Sequence, residues 1–193
     1  MKQDKAERKR KLMVYFMAFI MISSVFGVIF FGFATGGSSL KYNGFKFSRS
    51  GNVWATDIGG RQAIFSYYPA DVELIEIKPE IIGMLRNKIE IDATADGNGT
   101  FIQSIALAHF QMKSTLGNFN IFLREGYTAE NKFNLPVIGC EDATQLVPVI
   151  YFKEGNATRV YSNQSCIIVE ANTNEDFVRA KDRIVYGLLN IIR

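Results

Sequence analysis

A charge-free apolar run near the N-terminus constrains this chain more than any other feature of the sequence. It covers residues 12–33 and contains no Asp, Glu, Lys or Arg. As a helix it would be about 33 Å long, and the hydrocarbon core of a bilayer is about 30 Å thick. A helix also pairs its backbone polar groups within the segment, as lipid requires. The run therefore predicts one transmembrane helix.

Basic residues are concentrated on one side of this run. The tail of residues 1–11 has six Lys and Arg against two acidic residues, whereas the rest of the chain has 16 basic and 17 acidic residues. By the positive-inside rule the tail stays in the cytoplasm and the later residues are exported. We therefore predict a single-pass protein of the cell membrane, with a linker at 34–40 and an extracytoplasmic domain at 41–193. The near-neutral remainder offers no basic surface for nucleic acid.

Two other interpretations of the run are a cleaved signal peptide and an archaeal pilin segment. A signal peptide has an apolar stretch of about 7–15 residues, followed by a small-x-small cleavage site. This run is longer, and residues 33–36 (Phe-Ala-Thr-Gly) make a poor site. A pilin segment would follow a processing site, but here the sequence Lys-Arg-Lys comes directly before the run. We therefore favour an uncleaved anchor.

The pattern after residue 40 predicts an α/β domain that begins with an antiparallel meander. Apolar runs near Phe45, Val53 and Ala63 are separated by glycine-containing turns, which indicates three strands. Strands and helices then alternate, as is typical of a mixed β/α layer. We predict strands at 89–91, 120–123, 147–152 and 166–170, and helices at 79–86, 101–116 and 173–193.

Two of the predicted helices differ in their apolar pattern. The helix at 101–116 is apolar nearly all round, which predicts burial on every side. The last helix has one apolar face, and Arg179, Lys181 and Arg183 are predicted to lie off it.

The segment 148–158, which begins at Pro148, resembles the late proline, strand and tight turn of thioredoxin-like domains. The order of elements before it is similar too: a strand near Ile89, a loop, a helix and a strand near Ile121. The resemblance implies a thioredoxin-like fold with a cis peptide bond before Pro148. The loop at 94–100 lacks the Cys-x-x-Cys pair of redox-active members, so no oxidoreductase activity is implied. The layout is also similar to that of uncharacterised single-pass archaeal membrane proteins.

Cys140 and Cys166 are the only cysteines, and both belong to the predicted exported part, where disulfides persist. We predict a structural disulfide that closes a loop of about 26 residues and stabilises the fold by roughly 3 kcal/mol. The alternatives are two free buried thiols or a redox pair. For a redox pair, the sequence offers no neighbouring thiol that would resolve an exchange.

Three Asn-x-Ser/Thr triplets are candidate N-glycosylation sites, at Asn98, Asn156 and Asn163. In an organism without that machinery they are simply turn residues. The first triplet overlaps the stretch 92–100, which looks like part of an EF-hand calcium loop. The twelfth position of such a loop would be Gln103 or Ile105 instead of Glu, so we predict a polar turn and no metal site.

Other chemistry-bearing residues lack the neighbours that a catalytic site needs. His109 is the sole histidine, and we predict a hydrogen-bonded or semi-exposed position on its helix. Glu141 and Asp142 are predicted to begin a short helix. The sequence has no phosphate-binding loop, nucleophile elbow or zinc-protease helix, so we predict neither a catalytic site nor a cofactor.

These observations favour a non-enzymatic, membrane-anchored domain that binds a protein partner in the envelope or a surface ligand. Residues 12–33 would contact the bilayer, and the aromatic-rich meander is one candidate contact surface. An envelope enzyme whose site forms only in the fold is one alternative. An accessory subunit that joins a membrane complex through its helix is another.

Overall fold

The computed structural model describes residues 39–193. The tail, the predicted transmembrane helix at 12–33 and most of the predicted linker lie outside this range. In the part of the chain that the structure describes, no helix combines the length and apolar character that a membrane span requires.

The domain begins with a four-stranded antiparallel meander, which confirms the predicted meander and adds one strand. Its strands pair in sequence order, and tight turns with positive φ at Asn43-Gly44 and Gly59-Gly60 connect two of the pairs. Ser39 and Leu40, which the sequence assigned to the linker, pair with Ser48 and Phe47. The strands are β1 (Ser39–Tyr42), β2 (Phe45–Ser50), β3 (Val53–Ile58) and β4 (Arg61–Phe65).

The second sheet has five strands in the order β6-β5-β7-β9-β8. Four of them run parallel, and β8 lies antiparallel at one edge. Every residue of β9 is buried, as expected for a strand covered on both faces. The α/β class and the mixed sheet are thereby confirmed. The strands are β5 (Glu90–Ala95), β6 (Phe122–Tyr127), β7 (Val149–Glu154), β8 (Arg159–Asn163) and β9 (Cys166–Ala171).

The peptide bond before Pro148 is trans, so the cis bond implied by the thioredoxin-like resemblance is wrong. In this conformation the Pro148 carbonyl accepts a hydrogen bond from the amide of Asp92 at 3.0 Å. The parallel pairing of β5 with β7 continues directly from that bond. The wider resemblance stays a prediction.

Within residues 39–193, three α-helices accompany the sheets: α1 (Pro79–Leu85), α2 (Ile102–Gly117) and α3 (Asn174–Leu188). Helix α2 contacts β4 of the meander as well as β5 and β6, so it lies between the two sheets. Its outer side is open, because Leu107 and Phe110 are 48% and 65% exposed. The predicted burial of this helix on every side is therefore wrong. An apolar pattern indicates burial only where neighbouring elements cover it.

Helix α3 is buried on nearly all sides, unlike the one-faced helix that its sequence predicts. Thr173 caps its N-terminus by accepting a hydrogen bond from the Asp176 amide at 3.1 Å. Lys181 and Arg183, which are off the apolar face, are only 1% and 5% exposed. The reason is that α3 packs on β9 along one side and on α1 and α2 along others.

The aromatic side chains of the meander form core contacts with α3. The Phe65 and Tyr186 rings stack with their centroids 3.9 Å apart, and Phe47 packs edge-on against Tyr186. Trp54 packs against Tyr68. Phe47 and Phe65 are therefore buried, and they pack in the core instead of forming a free contact surface.

The meander is fastened to α3 by a buried carboxylate. Asp182 Oδ2 accepts hydrogen bonds from the backbone amides of Ser66 and Tyr67, both at 2.9 Å, where β4 ends. Asp182 Oδ1 pairs with the ammonium group of Lys181. The Tyr186 hydroxyl donates to the Tyr67 carbonyl at 2.7 Å. One turn of α3 thereby satisfies three backbone groups of the chain that leaves the meander.

A disulfide joins Cys140 to Cys166 across a sequence separation of 26 residues, which confirms the predicted bridge. It holds the irregular segment after β6 against the outer face of the mixed sheet, where Ile138, Val149 and Ile168 form a small second core. Thr94 Oγ1 strengthens this contact by donating to the Ile138 carbonyl at 2.7 Å. The predicted short helix at Glu141 and Asp142 is a 3₁₀ turn, Cys140–Asp142.

We expect Asp182→Ala to lower the free energy of unfolding by about 3–5 kcal/mol, because it leaves two buried amides and a buried ammonium group without their partner. Asp176→Ala is the matched control on the same helix, since its ion pair with Arg179 is long, at 3.4 Å, and partly exposed and should contribute about 0–1 kcal/mol. Urea unfolding of the full chain in a non-ionic detergent measures both changes. Trp54, the only tryptophan, reports on the meander by fluorescence. Equal losses in the two variants would contradict the role given to Asp182.

Candidate functional site

The three candidate glycosylation residues lie apart on the mixed sheet. Asn98 and Asn156 follow β5 and β7 at the C-terminal edge of the parallel strands, whereas Asn163 ends β8 beside the start of β9. All three are exposed. The structure therefore leaves each of them accessible to an oligosaccharide, and glycosylation stays a prediction.

The acidic stretch at 92–100 is the end of β5 followed by the predicted polar turn. Asp92 is 1% exposed and is held by a bidentate contact from Arg124 at 2.6 and 2.8 Å. Asp96 closes the turn by accepting from the amides of Asn98 and Gly99. Within residues 39–193, no three His, Cys, Asp or Glu side chains come together in an arrangement able to hold a metal ion.

His109 lies in the core, so the predicted hydrogen-bonded or semi-exposed position is wrong. It is 3% exposed, and its ring packs edge-on against Phe152 of β7 with the centroids 4.9 Å apart. Its Nε2 atom has no hydrogen-bond partner among the described residues. Burial lowers the pKa of His109 to about 4, so the ring is neutral at physiological pH.

A charge cluster around Glu170 joins the last three strands of the mixed sheet. The Glu170 carboxylate accepts from Arg159 Nε at 2.5 Å, from Tyr161 Oη at 2.8 Å and pairs with Lys153 Nζ at 3.0 Å. Burial raises the pKa of Glu170, but these three donors outweigh it and lower the pKa to about 2. Since the carboxylate is fully engaged, the cluster is structural.

A pocket of about 860 Å³ lies where four distant parts of the sequence meet. We call it the Arg183 pocket. Its walls come from the β1–β2 turn, the segment after β4, helix α3 and the last residues of the chain. The residues that matter most for its chemistry are Tyr42, Phe45, Glu73, Leu74, Arg183 and Arg193.

Hydrogen bonds between these segments hold the walls of the Arg183 pocket in place. The Asn43 side chain, on the β1–β2 turn, donates to the Ile191 carbonyl at 3.0 Å. Arg86 reaches from the end of α1 to Asn190 Oδ1 at 2.7 Å. Asn43 and Asn190 both have positive φ, a conformation that asparagine tolerates better than most residues. These hydrogen bonds tie the β1–β2 turn and the end of α1 to the last residues of the chain.

Glu73 is the carboxylate that lines the pocket, and it is engaged by Tyr42. The Tyr42 hydroxyl donates to Glu73 Oε2 at 2.5 Å. Burial, the hydrogen bond to Glu73 and the charge of Glu73 raise the pKa of Tyr42 to about 12, so the hydroxyl remains a donor at neutral pH. Of the ion pairs found in residues 39–193, none joins Glu73 to Arg183.

The Arg183 guanidinium is the unusual group of this pocket. The residue is 5% exposed, and both Nε and Nη1 lack an acceptor among the described residues. Nη1 lies beside Gly187, on the next turn of α3. Burial lowers the pKa of Arg183, although guanidinium groups stay protonated in proteins. A buried cation with unpaired donors is costly, so this geometry calls for an anionic acceptor.

None of the residues that the sequence singled out for chemistry lines the Arg183 pocket. No protein-family model matches the chain, and neither a curated protein nor a solved structure matches it. The geometry of the pocket is therefore the basis for assigning a function.

We expect Arg183→Met to raise the free energy of unfolding by about 1–3 kcal/mol, because an apolar side chain of similar length removes a buried charge with unpaired donors. Lys113→Met is the control, since Lys113 is exposed on α2 and its ion pair with Glu125 lies far from the pocket in sequence and fold. That variant should change stability by less than about 1 kcal/mol. Urea unfolding at pH 7 measures both. A destabilised Arg183→Met protein would show that the guanidinium has an acceptor in the free protein.

We expect His109 to make the fold less stable as the pH falls from 6.5 to about 4. The pKa of His109 is lower in the folded than in the unfolded chain, so its stabilising contribution is complete above pH 6.5 and is lost on acidification. The loss should reach about 3 kcal/mol. His109→Leu should remove this part of the pH dependence, and the difference between the two proteins at each pH isolates it from other groups. Parallel pH profiles would contradict the assignment.

Proposed function

We propose that the protein is a membrane-anchored, extracytoplasmic binding domain without catalytic activity, and that the Arg183 pocket is its ligand site. The observation that carries the proposal is the buried Arg183 guanidinium, which lines a pocket without an acceptor for Nε and Nη1. A group held in this way supplies binding energy and orientation once a ligand provides the acceptor. The apolar run at 12–33 and the basic tail support the anchor and its orientation.

The side chains of the pocket suit binding better than catalysis. Its described lining residues include no His, Cys, Ser or Thr, so a nucleophile beside a general base is not assembled there. Glu73 is the one acidic side chain among the described lining residues, and its carboxylate accepts a hydrogen bond from Tyr42. The enzyme alternative would need a reacting group brought by the ligand or by a partner.

A protein partner is a second candidate, favoured by the outer side of α2. Leu107 and Phe110 are three residues apart and therefore lie on one side of the helix, where both are exposed. Apolar side chains in such a position are common at protein interfaces. This observation suits the role of an accessory subunit, and it is independent of the pocket.

We expect single-cysteine probes in intact cells to report opposite sides of the membrane. A membrane-impermeant maleimide should label Ser114→Cys, which is exposed on α2, and should not label Lys5→Cys in the tail. Cys140 and Cys166 should stay unlabelled without a reductant because they form a disulfide. Lysed cells, in which both probes react, are the control. Labelling of Lys5→Cys alone would reverse the orientation and end the proposal of an exported domain.

Ligand binding in the native membrane is tested by mass spectrometry of small molecules that co-purify with the full chain. A species enriched with the wild-type protein and lost from Arg183→Met supports the proposed site. Equal recovery from both proteins, or a bound species in neither, contradicts it. Recovery of a chemically converted product from an added ligand would favour the enzyme alternative.

A further inference from the structure

We infer that the ligand of the Arg183 pocket is a monoanionic amphiphile, with a carboxylate or phosphodiester group joined to an apolar body. This inference rests on the proposed function and specifies the chemistry of the ligand. The same oxyanion chemistry has two sources: a free carboxylated amphiphile and the headgroup of an anionic lipid.

An oxyanion is the partner that the guanidinium lacks. A carboxylate or phosphate group that accepts a hydrogen bond from arginine also compensates its charge, and such contacts are stronger than contacts to neutral acceptors. A water molecule or carbonyl group would accept a hydrogen bond but leave the buried charge uncompensated. Arg183 is only 5% exposed, so an opposite charge beside it contributes far more interaction energy than it would at the surface.

The acidic side chain of the pocket favours a ligand with a single negative charge. Arg183 and Arg193 line the pocket together with Glu73. A dianionic phosphate would bring a second charge into the field of Glu73, and like charges at short distance repel.

The apolar side chains that line the pocket indicate that the ligand has an apolar part beside its oxyanion. Leu74 is 89% exposed at the pocket, and Phe45 and Ile192 also line it. Burying such side chains against an apolar ligand removes their surface from water, whereas a small inorganic ion would leave them exposed. The pocket thus combines one fixed charge with an apolar surface, which is the pattern of a site for a small amphiphile.

The test uses the full chain in a non-ionic detergent at constant ionic strength, with octanoate, octanol and inorganic phosphate as probes. Octanoate should raise the thermal midpoint of the wild-type protein and bind measurably by calorimetry, and the other two should do so weakly or not at all. Arg183→Met should weaken octanoate binding by about 10-fold to 100-fold. Arg183→Lys should recover part of the affinity, because it restores the charge without the planar fork. Glu73→Gln should tighten binding, and Lys113→Met should leave it unchanged.

Nanodiscs separate the two sources of the oxyanion. If phosphatidylglycerol discs suppress octanoate binding and zwitterionic phosphatidylcholine discs do not, the pocket takes the headgroup of an anionic lipid. If neither suppresses it, the ligand is a free amphiphile. Either result supports the inference.

The inference fails if octanoate binds Arg183→Met as well as it binds the wild-type protein, or if octanol binds the wild-type protein equally well. It also fails if octanoate binds neither protein. In each case an Arg183-dependent species from native membranes would still support the proposed function, so the two failures are distinguishable.

Discussion

The hydrogen bonds from the backbone amides of Ser66 and Tyr67 to the Asp182 carboxylate hold the two halves of the domain together. They join the end of the meander to the helix that packs on the mixed sheet. A carboxylate at 0% exposure is sustained only because two amides and the Lys181 ammonium group surround it. Even with these partners, desolvation raises the pKa of Asp182, which shows how strongly the buried carboxylate depends on them. The contact also fixes the direction in which Arg183 leaves the helix, because successive residues of a helix are about 100° apart around its axis.

The next residue is Arg183, so α3 contains two kinds of buried charge, one that is fully paired and one that has unpaired donors. Asp182 is compensated in full within the chain, and so is Glu170 in the neighbouring strand β9. Arg183 has no such compensation on Nε and Nη1. Because nearly all buried polar groups in proteins are paired, the unpaired donors of Arg183 beside a pocket are the basis for the proposed ligand site. This contrast between adjacent residues of one helix separates the structural role of Asp182 from the binding role proposed for Arg183.

The parts of this structure that were predictable are those encoded in local patterns. Alternating runs and glycine turns indicated the meander, and β-branched runs indicated β7 and β9. Two cysteines in a domain predicted to be exported indicated the bridge. The burial of Lys181, Arg183 and His109 was not predictable, because charged and polar residues are surface residues by default. One signal was present: apolar residues such as Val178 and Val185 lie off the face marked by Phe177 and Ile184, which indicates a helix covered on more than one side.

The Arg183 pocket has no sequence signature because no segment of the chain contains more than a part of it. Tyr42, Glu73, Arg183 and Asn190 come from four separate places and meet only through the packing of α3. The sequence therefore resembles that of a simple stable domain, while the fold buries a cation whose Nε and Nη1 have no acceptor among the described residues. Natural proteins depart from the most stable choice mainly where function requires it. If an apolar side chain at position 183 stabilises the fold, as we predict, the arginine is kept for the proposed ligand and not for the packing of α3.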